Sequence, residues 1–309
     1  MLIDMRDAFF EELVAQAKLN PNIVILSADH GAYALEEFAR NNPMQYINIG
    51  IAEQNMVGVA AGLAISGKIV FIYGITPFVS LRVLEQLTID VAMMQLPVNV
   101  ISVGAGFTYS TDGLTHHGLQ DMPAISSISG LTILNSSDPQ NTKSFIRRAI
   151  ATKLPHYIRI EKEKLAPFPS KRLTDFDSKF GYSILLNNDQ DLLVISTGYL
   201  VNLIYNTVVS SPEELTQDFA LIDLYQFNPI PLELIEEIDK YKKIIIFEES
   251  VEFISSQLLK LMPVSNRKVK TFSVRISVEI AFKGADRSKM LDQNGLSPKG
   301  IIQQINAFI

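Results

Sequence analysis

Short β-branched runs alternate with longer amphipathic segments through most of this 309-residue chain, and that rhythm restricts its fold more than any other feature. Ile23–Leu26, Gln45–Ile49, Ile69–Tyr73, Val98–Val103, Leu131–Leu134 and Tyr157–Ile160 read as strands. Helices fill the intervals. Asp4 caps one from Met5 to Lys18, with Phe9, Leu13 and Ala17 on one face, and Asn20-Pro21 stops it. Tyr33–Arg40, Glu53–Ser66 and Val79–Gln95 follow, and Ser137-Asp138-Pro139 opens another that runs to Ala151. Strands that alternate with helices predict a parallel sheet covered on both faces. The scheme then repeats, with strands at Asp191–Ser196, Phe219–Ile222, Lys243–Phe247 and Lys270–Ser273 and a last helix over Ser297–Phe308. The expectation is an α/β chain of two consecutive doubly wound, mostly parallel-sheet domains, 1–165 and 183–309. Residues 166–182 are the linker, within the charged, proline-bearing and aperiodic stretch from Glu161 to Lys179.

Composition narrows the function. Lys and Arg total 27 against 33 Asp and Glu, a net charge of −6, which argues against a phosphate-backbone binder and so against nucleic acid. With no Cys there is neither a disulfide framework nor a thiolate nucleophile, and four scattered His leave little scope for a metal cage. Met1 to Arg6 carries Asp4 before any basic residue and does not read as a signal peptide. The uncharged run between Asp90 and Asp112 is broken by Gln95, Pro97 and Asn99 and does not read as a membrane span. A cytoplasmic address is expected. A mean hydropathy of +0.18 fits either a large core or a wide apolar surface buried by another chain.

Two glycine motifs fail on context. Gly62 to Lys68 approaches the phosphate-cradling GxxxxGK[ST] loop, but Ile69 stands in place of the hydroxyl, and the pair of glycines ends a helix instead of opening one. Gly67 is better read as a helix C-cap. Gly104-x-Gly106 begins like a dinucleotide fingerprint, but Tyr109 occupies the third glycine position.

Two segments carry chemistry. In Asn48-Ile-Gly-Ile-Ala-Glu53-Gln-Asn-Met-Val-Gly58 a strand leads through Gly50 into an apolar helix with a carboxylate in its first turn. In open parallel sheets ligands bind outside the carboxyl ends of the strands. Alone, such a Glu is a dipole-stabilising residue worth under ~1 kcal/mol. Its apolar company on both sides desolvates it, so it needs a strong partner or rises in pKa, and it becomes a candidate acid or base. The second segment, Thr111-Asp112-Gly-Leu-Thr-His116-His117-Gly118, lies in the long irregular stretch from Gly104 to Pro123. Asp and His four apart on a glycine-broken loop can point into one pocket; an Asx-turn with surface histidines accounts for them equally well.

Together with Thr76-Pro77-Phe78, these segments resemble, in order and spacing, the pyrimidine-binding domain of transketolase-type thiamine diphosphate enzymes over about residues 1 to 165. The second half resembles their C-terminal domain, with Asn294-Gly-Leu-Ser before the last helix as one weaker motif. Full-length members carry a further domain with a Gly-Asp-Gly…Asn metal motif, which is not found here, so the chain resembles the C-terminal subunit of a split transketolase.

The resemblance implies thiamine diphosphate as cofactor, with Mg²⁺ ligands on an N-terminal partner subunit, in an α₂β₂ assembly. It implies that Glu53 hydrogen-bonds the aminopyrimidine ring nitrogen and favours the imino tautomer that removes the thiazolium proton. It further implies that Phe78 stacks on that ring, that Asp29 lies near cofactor and dimer interface, that Asp112 and His116 contact the donor sugar, and that Arg6 and Arg159 grip its phosphate. Glu53 and His116 are the catalytic pair. Three positions depart from the family pattern. Gly104 stands where a phosphate-binding histidine often precedes the Asp-Gly loop, Tyr33 where a phosphate-contacting serine is expected, and His117 where Gln is common. The expected activity is transfer of a two-carbon ketol unit from a ketose, phosphorylated in the usual case, to an aldose. The competing readings are a 2-oxoacid dehydrogenase β subunit, a deoxyxylulose-phosphate-synthase-like enzyme, and a non-catalytic interaction subunit of the same fold.

Overall fold

A computed structural model describes residues 2–169, 181–187, 191–262, 267–275 and 285–308. Its core is a seven-stranded sheet built on β2 (Ile23–Ser27), β3 (Tyr46–Asn48), β4 (Ile69–Ile75), β5 (Val98–Val103), β6 (Thr132–Asn135) and β7 (His156–Ile160), all parallel, in the order β6-β7-β5-β4-β2-β3. These strands are buried on both faces and read as continuous Ile, Val and Leu runs, the composition a doubly covered parallel sheet demands. Helix α1 (Met5–Leu19) covers one face with Phe9, Leu13 and Ala17, and the Asp4 carboxylate caps it by accepting the Arg6 N–H at 2.9 Å. The helix Pro139–Thr152 packs beside it, with Asp138 as cap and Pro139 in its first turn. On the other face lies α3 (Glu53–Ile65), packed through Met56, Val57, Ala60 and Ala64. Gly67 follows α3 with φ +88°, as the C-cap reading requires.

A second, five-stranded sheet runs β14 (Lys268–Ser273), β13 (Lys243–Glu248), β10 (Leu192–Ser196), β11 (Ala220–Leu224), β9 (Tyr182–Leu186), parallel except for β9. The two-sheet α/β architecture is therefore the one expected. Most of the expected linker, residues 170–180, lies outside the described residues; its last residue, Tyr182, is the first of β9, an antiparallel edge strand that periodicity did not single out. The units also exchange chain. β12 (Gln226–Phe227), just after β11, pairs antiparallel with β6 and extends the first sheet. On the opposite side, β1 (Ile3–Asp4) pairs with β8 (Lys164–Leu165).

Two elements differ from expectation. The helix read over Val79–Gln95 is a succession of a 3₁₀ turn (Leu81–Val83), one α-turn (Leu84–Gln86) and a π-helical segment (Leu87–Ala92). Hydroxyls compete with its ladder, Ser80 donating to the Thr76 carbonyl at 2.5 Å and Thr88 to that of Leu84 at 2.7 Å. The stretch from Gly104 to Pro123 is ordered by a Gly106–Gly118 bridge, a 3₁₀ turn at Ser110–Asp112 and a short helix at Asp121–Ile125. Among the described residues no helix is long and apolar enough to cross a membrane.

Candidate active site

Because β2, β3, β4 and β5 are parallel, the segments that follow them emerge on one edge of the sheet. From β2 the chain moves outward to β3, and it returns to the other side of β2 with β4. That reversal opens the crevice in which α/β sheets bind ligands. Asp29 and His30 follow β2, Glu53 follows β3, Thr76-Pro77-Phe78 follows β4, and the loop with Asp112 and His116 follows β5. The topology therefore gathers the sequence-predicted residues Asp29, Glu53, Phe78, Asp112 and His116 at one end of the sheet.

Glu53 is 6% exposed at the first position of α3. Its partner is Arg82, whose Nη1 donates to Oε1 at 2.8 Å. Nothing among the described residues donates to Oε2. Of the two outcomes open to a desolvated carboxylate, a strong partner or protonation, the structure shows the partner. The same guanidinium lies over the Phe78 ring, 4.2 Å from its centroid. Phe78 in turn meets His116 edge-on at 5.2 Å, and Tyr109 lies 6.2 Å beyond it. One contiguous set, Glu53–Arg82–Phe78–His116–Tyr109, thus links two segments that are far apart in sequence. Arg82 and Tyr109 were not singled out from sequence; both sit in aperiodic segments with no motif of their own.

The His116 ring is held by Thr115, whose Oγ1 lies 2.9 Å from Nδ1. Asp112, exposed, closes the 3₁₀ turn before Gly113. His117, buried behind His116, donates from Nε2 to the Ser110 carbonyl at 3.3 Å, and burial pushes its pKa down. Asp29 is exposed, and Asn48 fixes it, accepting its backbone N–H at 3.0 Å and donating to its carboxylate at 3.3 Å. Beside it His30 Nε2 accepts the Ile75 N–H at 3.1 Å, which makes that nitrogen an acceptor; burial lowers its pKa.

The two arginines are both engaged. Arg6 forks onto Asp4 at 3.1 and 2.8 Å and stays 30% exposed. Arg159 is 4% exposed; its Nε lies 2.9 Å from Asp121, and its Nη2 donates to the Gly118 carbonyl. The departures have a structural cause at one position. Gly104, at φ +94°, leaves no room for a side chain, since a Cβ there would stand 2.2 Å from the Tyr109 ring. Tyr109 thus fills the space over Gly104, with Lys162 Nζ 4.9 Å from its ring. Tyr33 points outward, 76% exposed.

A buried ionic group braces the loop from behind. Arg287 donates to Glu249 at 2.9 and 2.7 Å and to Glu161 at 3.1 and 3.2 Å, and it stacks on Tyr199 at 3.6 Å. Glu249 accepts the Phe107 N–H at 2.9 Å and Glu161 accepts the Thr108 hydroxyl at 2.5 Å. A residue of the second unit thereby ties down the first residues of the loop. Among the described residues no three His, Cys, Asp or Glu gather to hold a metal ion.

The transketolase pyrimidine-binding domain matches residues 2–167. One of the two subunits of an apulose-4-phosphate transketolase of Phocaeicola vulgatus is 28% identical over 310 residues, covering 100% of this chain and 98% of that one. A 6-deoxy-6-sulfo-D-fructose transketolase subunit of Clostridium sp. strain MSTE9 is 32% identical over 200 residues, 64% of this chain and 61% of that one. A 1-deoxy-D-xylulose-5-phosphate synthase of Corynebacterium diphtheriae is 28% identical over 97% of this chain, which spans 48% of that enzyme. The solved split-gene transketolase in its inactive β4 tetramer superposes with a TM-score of 0.85, covering 99% of this chain and 98% of that one; at 22% identity the likeness carries the fold. With a domain match over more than half of its length, and relatives that align from end to end, this chain belongs to the transketolase family, as a subunit carrying the pyrimidine-binding domain.

Proposed function

We propose that the chain is one subunit of a thiamine diphosphate-dependent transketolase, which moves a two-carbon ketol unit from a ketose with an anionic tail to an aldose. It works with a separate subunit that carries the diphosphate-binding domain and the Mg²⁺ ligands, in an α₂β₂ assembly. One observation carries the reading. A carboxylate that is almost fully buried, with one oxygen unpartnered, stands beside an aromatic ring at the topological switch point of the sheet. Those groups suit a planar heterocycle with a ring nitrogen and two faces. When bound, thiamine diphosphate supplies an electron sink for carbanion chemistry at the substrate carbonyl carbon.

The residues of this chain do the rest. Glu53 holds a proton at the aminopyrimidine nitrogen, and Phe78 covers one ring face. Asp29 lies where the two subunits enclose the cofactor. His116 and Asp112 face the carbonyl and hydroxyl end of the sugar, and His116 assists proton transfer there. Arg6, partly exposed and planar, is the fork for the anionic tail. Arg159 contributes from behind, since its donation to Gly118 holds the end of the loop. Relatives named for a sugar phosphate and a sulfosugar support an anionic substrate.

The test is reconstitution with the partner subunit, thiamine diphosphate and Mg²⁺, against panels of ketoses and aldoses, phosphorylated, sulfonated and free, with pyruvate included. Ketol transfer is expected, and Glu53→Gln should lower kcat at least ~100-fold, the lower end of general acid–base assistance. Near-full activity of that variant, or turnover of pyruvate alone, refutes the proposal.

A further inference from the structure

Glu53 and Phe78 share an occupant that the reaction does not require. Arg82 comes from the Leu81–Val83 turn and reaches both, the carboxylate at 2.8 Å and the ring centroid at 4.2 Å. A guanidinium is planar, presents N–H donors to a carboxylate and stacks on aromatic faces. Those are the same contacts that an aminopyrimidine would make at these two residues. The ion pair is lopsided, because the Glu53 side chain is 7% exposed whereas that of Arg82 is 44% exposed. The carboxylate is therefore the fixed partner, and the arginine has open solvent to swing into. Gln54 holds the turn by its backbone, donating to the Arg82 carbonyl at 3.2 Å, so the side chain can leave without the turn unwinding.

Resting on the function proposed above, we infer that Arg82 is a displaceable stand-in for the cofactor's aminopyrimidine: it pairs with Glu53 and covers Phe78 in the cofactor-free chain, and yields both when the heterocycle arrives. The physical need is clear. A carboxylate in a dry crevice is costly without a counter-ion, and a subunit that folds before meeting its cofactor must satisfy it. A half-exposed ion pair is weak enough to be displaced.

The inference makes an unusual double prediction for Arg82→Met, which keeps the stem and removes charge and donors. The cofactor-free full-length chain should melt lower, because Glu53 loses its counter-ion. In the complex with the partner subunit, thiamine diphosphate with Mg²⁺ should bind about fivefold tighter by calorimetry, since the competitor is gone. A side chain with a merely structural role moves stability and affinity down together. The double variant Glu53→Gln with Arg82→Met should recover the melting temperature, as no charge is stranded. Should Arg82→Met fail to fold, Arg82→Lys, which retains charge but lacks the planar stack, is expected to tighten binding about twofold by the same competition. Wild-type complex that takes up no thiamine diphosphate defeats the proposed function itself. Wild type that binds it, while the Arg82 variants bind equally or more weakly, overturns the stand-in role alone.

Discussion

Arg287→Met tests how the second unit supports the loop that bears Asp112 and His116. The guanidinium is 10% exposed and makes four bonds to two carboxylates, Glu161 and Glu249, which are 1% and 7% exposed. Removing one member of a buried ion pair costs ~3–5 kcal/mol, because the remaining charge is left in low dielectric. Here two like charges remain, so the upper part of that range is expected. For a chain of this size about 2–4 °C of melting temperature corresponds to each kcal/mol, which amounts to roughly 10 °C or more. The loss should depend on pH, and the sign can be worked out. Burial pushes the Glu249 carboxyl up, while Arg287 pulls it down. An acid whose folded pKa lies above its unfolded one binds more protons when folded, so its contribution improves as pH falls and worsens as pH rises through that window. Without Arg287 the window widens upward. Urea unfolding of the full-length chain followed by circular dichroism at pH 5 and pH 8 should thus show the larger deficit at pH 8. Glu249→Gln is the contrast. It leaves one carboxylate for one guanidinium and keeps an acceptor for the Phe107 N–H, so it should cost under ~2 kcal/mol. A deficit for Arg287→Met below about 1 kcal/mol, or one equal at both pH values, would refute the reasoning that the group is a buried charge cluster and not a set of surface pairs.

Two further perturbations probe other parts of the molecule. Gly104→Ala meets both a left-handed backbone and the Tyr109 ring at 2.2 Å. It should cost ~1–2 kcal/mol from the backbone alone and more from the clash, and adding Tyr109→Ser should recover only the second part; full recovery in the melting temperature would remove the backbone argument. His156 is buried, donates from Nδ1 to Asn99 at 3.0 Å, and burial pushes it down to about 4. The folded state therefore binds fewer protons than the unfolded one between about pH 6.5 and 4, and stability should fall across that window by about 3 kcal/mol. His156→Asn should flatten this limb of the acid-unfolding curve, and an unchanged slope would sink the assignment.

Much of the molecule was legible from local pattern. The strand runs from Ile23 to Ile160 fall within one or two residues of their expected bounds, because strands buried on both faces are continuous aliphatic runs. Asp4 and Asp138 cap helices as expected, since capping is a contact between neighbours. Glu53 was legible as a carboxylate in a first turn with apolar company. Val79–Gln95 was misjudged because apolar spacing cannot distinguish an α-helix from a 3₁₀–π succession once hydroxyls take ladder carbonyls.

What the sequence determined by itself is the alternation of elements, and with it the parallel sheet and the edge on which Glu53, Phe78 and His116 emerge. These follow from periodicity and chain order, which act over a few residues at a time. Only the tertiary structure decided the partners. Arg82 meets Glu53 across 29 positions, Arg287 meets Glu161 across 126, β12 crosses to the first sheet, and Tyr109 fills the space over Gly104. A buried charge or a gap beside a backbone announces that something must fill it, but which side chain does so depends on how distant segments are packed together.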